Sequence, residues 1–255
     1  MRESEFSQLP SVYQVRHLGK VNNLLDQAVR AARAGAGEGT LLVADSETSA
    51  RTRRGKIWHS YPGNLHCALI VEPDYSNRLA QQLLYVAAVA AGTALAEVVA
   101  PMTGMSYGWP GKLYINNLLT GQVSIAAPAG GDDPWPWLVV CLRINVARHP
   151  PNPEPERYNC VHTSGEAEAV RAQEVLAFYA RHFLRGINDW ADEGFAPVQK
   201  VWMQRAQDLG TKRRIKLADS LLEGVNQGIN KAGELLLCEA GGKTRRVSIK
   251  RYFAL

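Results

Sequence analysis

One short, glycine-containing stretch of the sequence concentrates positive charge beside an aromatic ring. It contains Arg51, Arg53, Arg54, Gly55 and Lys56, and Trp58 follows it. Guanidinium groups bind oxyanions through paired hydrogen bonds, so this pattern is typical of a loop that holds phosphate or carboxylate. The tryptophan adds a flat face on which an aromatic base can stack. The alternative interpretation is a basic turn that is simply solvated.

The segments on either side of this stretch are those that would hold a recognition loop in place. Residues 40–44 form a short apolar run, and residues 65–71 form a second one. Both runs predict buried strands, while Pro62 and Gly63 break any helix between them. A strand, a loop and a second strand present the loop at the edge of a sheet. The basic stretch is therefore predicted to be such an edge loop.

The rest of the chain alternates between helical and strand-like patterns. Asn22 or Asn23 is suited to cap a first helix, and apolar spacing predicts further helices near residues 83–96, 166–190 and 198–209. Strands are predicted near residues 12–15, 105–109, 112–116, 122–127 and 137–146, with short strands split by glycines from Lys212 onward. This order predicts an α+β fold with a small barrel-like β module at its C-terminal end.

Composition limits the function classes that the chain can serve. The chain has 255 residues, is 46% hydrophobic and carries a formal net charge of +5. Its four cysteines lack the spacing of a zinc site, and the polar N-terminus predicts no signal peptide, so we expect a reduced, cytoplasmic protein. The apolar run at residues 83–96 is too short to span a membrane, and we expect no membrane partner. Residues 200–255 hold 12 Lys/Arg against five Asp/Glu, while the other 199 residues hold 17 against 19.

The order of these motifs resembles the biotin/lipoate protein ligase family. The family's biotin loop is matched in order by residues 50–56, Trp58, Ser60, Gly63, Asn64 and Leu65, and its Trp-Pro motif by residues 108–116. The segment at residues 209–237 resembles the SH3-like C-terminal domain of bacterial biotin ligases, and residues 188–197 resemble a divergent branch with a Trp-Pro-Gly motif. The resemblance implies a biotin/lipoate ligase-like catalytic domain over residues 1–198. It also implies a short helix and an SH3-like domain over residues 199–255.

The resemblance implies an activity as well. Such enzymes join a biotin- or lipoate-type acid to ATP, with Mg, as an acyl-adenylate, and then transfer the acyl group to a lysine of a carrier protein. It implies acyl and phosphate contacts for Arg51, Arg53, Arg54 and Gly55, nucleotide contacts for Trp58 and Asn64, and no metal ligand from the chain itself. Each step needs positive charge on developing oxyanions and exclusion of water.

The sequence also departs from the family pattern. Two loop glycines of the family are Ala50 and Thr52 here, the Asn-Asp after Trp-Pro is Gly111-Lys112, and the Ser-Thr-Asn near the first helix is Lys20-Val-Asn22. The family lysine that contacts carboxylate and phosphate falls at or near Leu119, which has no charge. We therefore expect Lys112 to place its ammonium in the same pocket and to act with Arg53 as a catalytic residue. The alternative is that Lys112 points to solvent.

Other functions stay open at this point. A second hypothesis is a non-catalytic relative that binds an acyl cofactor, a nucleotide or a carrier domain. A third is nucleic-acid binding through the basic C-terminal module, although nucleic acid is not the expected partner. A further hypothesis is that Cys160 and His162 form a nucleophile pair similar to that of octanoyl transferases, although no matching motif surrounds them. The family's N-terminal helix-turn-helix is absent, so we expect no operator binding, and a homodimer remains open.

Overall fold

The structure is a computed structural model that describes residues 6–51, 57–130, 133–151, 157–164, 169–217 and 220–253. A seven-stranded sheet forms its centre, in the strand order β1-β3-β5-β9-β8-β7-β6. β1 and β3 are parallel, and every other neighbouring pair is antiparallel. The strands are β1 (Gln14–His17), β3 (Thr40–Val43), β5 (Leu65–Val71), β6 (Met105–Gly108), β7 (Lys112–Ile115), β8 (Leu118–Ala126) and β9 (Leu138–Ile144). A short parallel pair, β2 (Lys20–Val21) and β4 (Ser46–Glu47), lies beside it.

One helix covers the first face of this sheet. α1 (Leu24–Arg33) begins after Asn23, whose side chain accepts a hydrogen bond from the Asp26 amide as an N-cap. The helix buries Leu24 and Ala28 against Ala68, Ile70 and other residues at alternate positions of the strands. Alternate strand residues share a face, so this face is apolar where α1 packs on it.

Two long helices cover the other face. After the short α2 (Asn77–Ala80), α3 (Leu83–Ala96) is buried on nearly all sides, and α4 (Ala172–Glu193) packs along it. By length and composition the helical stretch Asn77–Ala96 is able to cross a membrane, but 78% of its most apolar window is buried inside the protein. The predicted start of α4 at residue 166 is wrong. Arg171 is extended, and the Glu174 side chain accepts its amide hydrogen in a capping box at the true start.

The C-terminal segment forms a second, four-stranded antiparallel sheet. Its strands are β10 (Lys212–Lys216), β11 (Leu221–Ile229), β12 (Leu235–Cys238) and β13 (Thr244–Val247), and the helices α5 (Ala196–Gln204) and α6 (Ile249–Phe253) flank it. The mixed α+β fold with a C-terminal antiparallel sheet is confirmed. The SH3-like closure of that sheet and the division at residue 198 stay predictions.

Buried contacts hold the C-terminal sheet against the long helix α3. The Tyr85 hydroxyl donates to the Gly233 carbonyl (2.6 Å), and the Lys250 amide donates to Gln81 Oε1 (2.6 Å). Trp202 of α5 is fully buried and meets Tyr85 edge to face. One hydrophobic core therefore runs from the central sheet into the C-terminal sheet, and the position of one relative to the other is set by packing.

Candidate functional site

The segments on either side of the basic stretch, residues 50–51 and 57–58, pair with each other and are called the hairpin below. Arg51 and Ile57 form an antiparallel bridge, and the Trp58 amide donates to the Ala50 carbonyl at 2.8 Å. Arg51 is exposed, whereas Trp58 is only 5% exposed. The predicted site residues Arg53, Arg54 and Gly55 lie outside the described residues, so their roles stay predictions.

Two cavities beside the hairpin share Trp58 as a lining residue. The first has a volume of about 80 Å³ and the second a volume of about 370 Å³. Trp58 and Gln122 line both cavities, and Arg51 lines the second. The tryptophan predicted to bind a nucleotide thus lines two cavities that share part of their walls.

Aromatic and cationic side chains line the first cavity. They come from the hairpin, from β7 and the turn before it, from the segment after residue 156 and from the C-terminal segment, and include Trp58, Trp109, Tyr158, Tyr252, Lys112 and Arg213. Trp109 and Tyr252 meet edge to face, with ring centroids 4.8 Å apart. Such walls suit a base and its phosphates, because rings stack on bases and cations bind oxyanions.

Lys112 is one of the residues that line the first cavity. It is the first residue of β7, lies opposite Gln122 and lines the first cavity together with Trp58. Its neighbour Gly111 is fixed by close packing, because a Cβ atom there would come within 2.4 Å of the Val123 carbonyl oxygen. The side chain that the family carries at this position would not fit here. The predicted catalytic role of Lys112 stays a prediction.

Leu119 takes part in an apolar cluster instead of presenting a charge. It is 3% exposed and packs with Ala50 and Trp58. Its amide donates to the Arg157 carbonyl, and its carbonyl accepts from the Asn159 amide. The segment that follows residue 156 is therefore hydrogen-bonded to Leu119 of β8. Tyr158 of this segment packs against the same cluster.

A buried ion pair lies at the wall of the second cavity. Arg143 donates from Nε and Nη2 to the two carboxylate oxygens of Glu47, at 2.6 and 2.8 Å. Glu47 also accepts the Leu24 amide hydrogen at the start of α1. Burial alone would raise the pKa of Glu47, but the hydrogen bonds and charge of Arg143 lower it overall. Glu47 is therefore ionised, and both of its carboxylate oxygens accept hydrogen bonds within the protein.

The second cavity is polar beside this ion pair. Gln122 and Ser124 alternate along β8 and lie directly opposite Arg143 and Cys141 of β9. With Asn23 they line the cavity together with Arg143. The apolar face that α1 covers thus becomes a hydrogen-bonding surface where the sheet reaches the hairpin.

His66 lies on the same face and is neutral. Its Nε2 is 2.9 Å from Ser60 Oγ, and Ser60 Oγ accepts the Glu47 amide hydrogen at 2.8 Å. Burial lowers the pKa of His66 to about 4, while the charge of Glu47 acts in the opposite direction. His66 is a packed residue that joins β5 to the loop, as its position on a strand predicts.

Asn64 holds a loop and does not line the first cavity. Its Oδ1 accepts the amide hydrogens of Val146, Ala147 and Arg148 at 3.0–3.1 Å, and its Nδ2 donates to the Arg148 carbonyl at 2.8 Å. These bonds fix the turn that follows β9. The predicted nucleotide contact of Asn64 stays a prediction, and the geometry assigns the side chain a structural task.

The structure does not unite Cys160 and His162 as a reactive pair. Cys160 is buried with its Sγ 3.3 Å from the Thr163 hydroxyl, and His162 Nε2 contacts the Val170 carbonyl oxygen at 2.7 Å. Among the described residues no group of three or more His, Cys, Asp or Glu side chains is placed to hold a metal ion.

Sequence reasoning missed Glu47, Arg143 and Arg213. The signal for Arg143 was available, since it is the one charged residue in the apolar run at residues 138–144. Its partner lies 96 positions away, and no spacing rule connects the two. Arg213 was hidden among the basic residues of the C-terminal segment.

Comparison with solved structures shows which known fold this chain adopts. A biotin protein ligase-like protein of unknown function from Silicibacter sp. TM1040 is 22% identical, with a TM-score of 0.79 over 96% of this chain and 97% of that one. The biotin protein ligase of Aquifex aeolicus, solved with biotin and ATP, is 22% identical, with a TM-score of 0.76 over 92% of this chain and 95% of that one. The sheet, its helices and the adjoining C-terminal sheet therefore define a protein of the biotin protein ligase fold.

Sequence comparison then gives the family. The Biotin/lipoate A/B protein ligase family model matches residues 9–204. The bifunctional ligase/repressor BirA of Bacillus subtilis is 30% identical over 204 residues, which cover 78% of this chain and 62% of that protein. The biotin--[acetyl-CoA-carboxylase] ligase of Paracoccus denitrificans is 30% identical over 207 residues, covering 79% and 85%. The chain belongs to the biotin/lipoate A/B protein ligase family, and it spans about 62% of the length of the BirA relative.

Proposed function

We propose that the protein is an ATP-dependent ligase that activates a biotin-type acid and transfers it to a lysine of a carrier protein. One observation carries the proposal. A cavity of aromatic and cationic side chains shares Trp58 and Gln122 with a second cavity, one wall of which is polar. A nucleotide in the first and an acid in the second would bring their reacting ends together beside Trp58.

The polar wall of the second cavity supports a biotin-type acid over lipoate or octanoate. Gln122, Ser124 and Asn23 offer donors and acceptors, and Arg143 presents a guanidinium whose Nη1 is not used by Glu47. A head group that carries amide-like N–H and C=O groups satisfies such a wall. The methyl end of octanoate or the dithiolane ring of lipoate would leave the polar groups of the cavity wall without hydrogen bonds, which is costly in a buried site.

The first chemical step would form an acyl-adenylate. A carboxylate oxygen of the acid attacks the α-phosphorus of ATP, a C–O–P linkage forms, and the bond to the β-phosphate breaks as pyrophosphate leaves with the electron pair. Arg51 and Lys112 line the two cavities and would bind the carboxylate and phosphate oxygens. Mg²⁺ would arrive on the phosphates and offset their charge.

The second step would transfer the acyl group to the carrier. The neutral amine of the carrier lysine attacks the acyl carbon, an amide bond forms, and AMP leaves while the amine loses a proton to solvent. Until then the mixed anhydride must be kept from water. The apolar cluster of Ala50, Trp58 and Leu119 would shield it, which gives Leu119 a task that a lysine does not perform.

Calorimetric titration tests the proposal most directly. Biotin, lipoate and octanoate are each titrated with and without Mg-ATP, and pyrophosphate release is measured in parallel. We expect biotin to bind most tightly, to release pyrophosphate, and to bind at least tenfold more weakly to the Arg53→Ala variant. Arg185→Ala is the control, since Arg185 is exposed on α4 far from the hairpin along the chain. Tighter binding of lipoate or octanoate would refute the acid class. Binding without pyrophosphate release would refute the ligase.

The burial of Leu119 favours a second candidate, a relative that binds the acid and nucleotide without joining them. It differs from the ligase in one measurement, because such a protein would bind Mg-ATP and the acid but release no pyrophosphate. Nucleic-acid binding finds less support. Arg214 and Arg245 of the C-terminal sheet are already paired with Glu223 and Glu239 at 2.8 and 2.9 Å. The cytoplasmic setting remains part of this proposal.

A further inference from the structure

The C-terminal sheet contributes a cation to the first cavity. Arg213 is the second residue of β10, and its side chain lines the cavity together with Trp58, Lys112 and Tyr252. Residues alternate in direction along β10, so Arg213 and the buried Ile215 face inward while Lys212 and Arg214 are exposed. The inward position of Arg213 is therefore set by the strand itself.

The charge of Arg213 is not neutralised within the described part of the chain. Its Nη1 atom is buried and has no hydrogen-bond partner, and Arg213 forms no ion pair with a carboxylate of the described residues. Its neighbour across the strands is Gly224, which has no side chain to offer. By contrast, the adjacent Arg214 donates from Nε to Glu223 at 2.8 Å.

An unpaired, partly buried guanidinium costs free energy unless a ligand satisfies it. The cavity that it lines has aromatic walls and a second cation but no carboxylate among its described residues. This combination selects an anionic group attached to a planar ring. A phosphate fits best, because guanidinium donors match two of its oxygens at once.

We propose that Arg213 binds the phosphate oxygens of the nucleotide, and so supplies from the C-terminal sheet the positive charge that Leu119 does not supply from β8. This inference rests on the proposed function, since it assigns the nucleotide to the first cavity. It also gives the C-terminal sheet a direct part in the reaction. Arg213 would stabilise the negative charge that builds up on the α-phosphate and on the departing pyrophosphate.

The fold holds Arg213 firmly enough for this task. Tyr252 packs on Trp109 beside the cavity, and the Lys250 and Gly233 backbone is hydrogen-bonded to Gln81 and Tyr85 of the helical layer. The C-terminal sheet is therefore fixed relative to β7 and β8. A cation on a fixed strand loses little conformational entropy when it binds its ligand.

The test compares Arg213→Gln with Arg214→Gln in the full-length protein. The two residues are adjacent and of the same type, but only Arg213 faces the cavity. Calorimetry with ATP, with AMP and with biotin separates nucleotide from acid binding. We expect Arg213→Gln to weaken ATP binding between tenfold and a hundredfold and to leave biotin binding without nucleotide unchanged. Arg214→Gln should change neither by more than twofold, and Arg213→Lys should recover part of the loss.

Equal ATP affinities in Arg213→Gln and the unaltered protein would overturn the inference while leaving the proposed ligase intact. If the unaltered protein binds neither ATP nor any of the acids, the proposed function fails instead. Titration with inorganic pyrophosphate then decides the inference separately. Pyrophosphate binding that depends on Arg213 and not on Arg214 upholds a phosphate site there, and binding that is equal in all variants or absent refutes it. Unfolding curves of each variant show that the fold is kept.

Discussion

Arg143 and Glu47 form a two-pronged ion pair that joins the centre of the sheet to the start of α1. Arg143 is 5% exposed and the Glu47 side chain is fully buried, and the carboxylate also accepts the Leu24 amide hydrogen. The ion pair therefore fixes the entry of the chain into α1 as well as the wall of the second cavity. A buried pair of this kind is costly to form but more costly to break on one side only.

Removing one partner of this pair should destabilise the protein more than removing both. We expect Glu47→Leu or Arg143→Leu to lower the free energy of unfolding by about 3–5 kcal/mol, because each leaves an uncompensated buried charge. The double variant should lose less than either single variant, and so less than the sum of the two. Urea unfolding of the four proteins gives the coupling directly. Additive losses would show that the two side chains do not depend on each other.

The sequence predicted most of the framework that surrounds this pair. Buried elements can be recognised from composition, because only they tolerate long apolar runs. Such runs occur in β5, in β9 and in the alanine-rich α3. The sequence singles out Trp58 for a similar reason, since the residue types and spacing of the basic stretch beside it are local, while the site roles of Arg53 and Arg54 stay predictions. The start of α4 was predicted wrongly. It is set by a local arrangement of a few residues, in which Arg171 is extended and the Glu174 side chain caps the helix.

The residues that the sequence did not reveal are those whose meaning depends on register. Gln122 and Ser124 become a wall for the second cavity only because β8 places them opposite Arg143 and Cys141. Arg213 becomes a site residue only because β10 turns it inward while its neighbours point outward. A one-residue shift of either strand would reverse these faces. Such information comes from pairing between distant segments, which composition and periodicity do not encode.

Asn64 should matter for stability and not for nucleotide binding. Asn64→Ala removes the acceptor of three amide hydrogens in the turn after β9, and we expect it to lower the free energy of unfolding by about 3 kcal/mol. Asn64→Asp keeps this acceptor and should lose less. The Kd for ATP should stay within twofold of the unaltered value in both variants, provided that each is folded. A large loss of ATP affinity in folded Asn64→Asp would instead favour the direct contact that the family resemblance implies.

Gly111 should resist replacement by any larger residue. A Cβ atom there would lie 2.4 Å from the Val123 carbonyl oxygen, which is part of the backbone and cannot rotate away. We expect Gly111→Ala to lower the free energy of unfolding by about 2–3 kcal/mol, as overpacking does. Gly241→Ala is the control, since nothing lies within 4 Å of its Cβ position and its backbone is not left-handed. That variant should be neutral or slightly more stable.

His66 should make the stability of the protein fall as the solution is acidified. Burial lowers its pKa to about 4 in the folded protein, with the charges of Glu47 and Asp45 opposing this effect and that of Arg143 adding to it, whereas the unfolded chain titrates near 6.5. Between these values the unfolded state binds the proton and the folded state does not, so stability is lost as the pH falls from about 6.5 to 4.

This loss should reach roughly 2–3 kcal/mol near pH 4.5, which follows from 1.36 kcal/mol for each unit of difference in pKa. Urea unfolding of the unaltered protein and of His66→Gln at pH 7 and pH 4.5 isolates the contribution, because groups such as Glu47 are common to both. Glutamine takes no proton, so the difference in stability between the two proteins should shrink as the pH is lowered. If that difference is the same at both pH values, His66 takes up its proton equally in the folded and unfolded states, and its burial does not shape the response to acid.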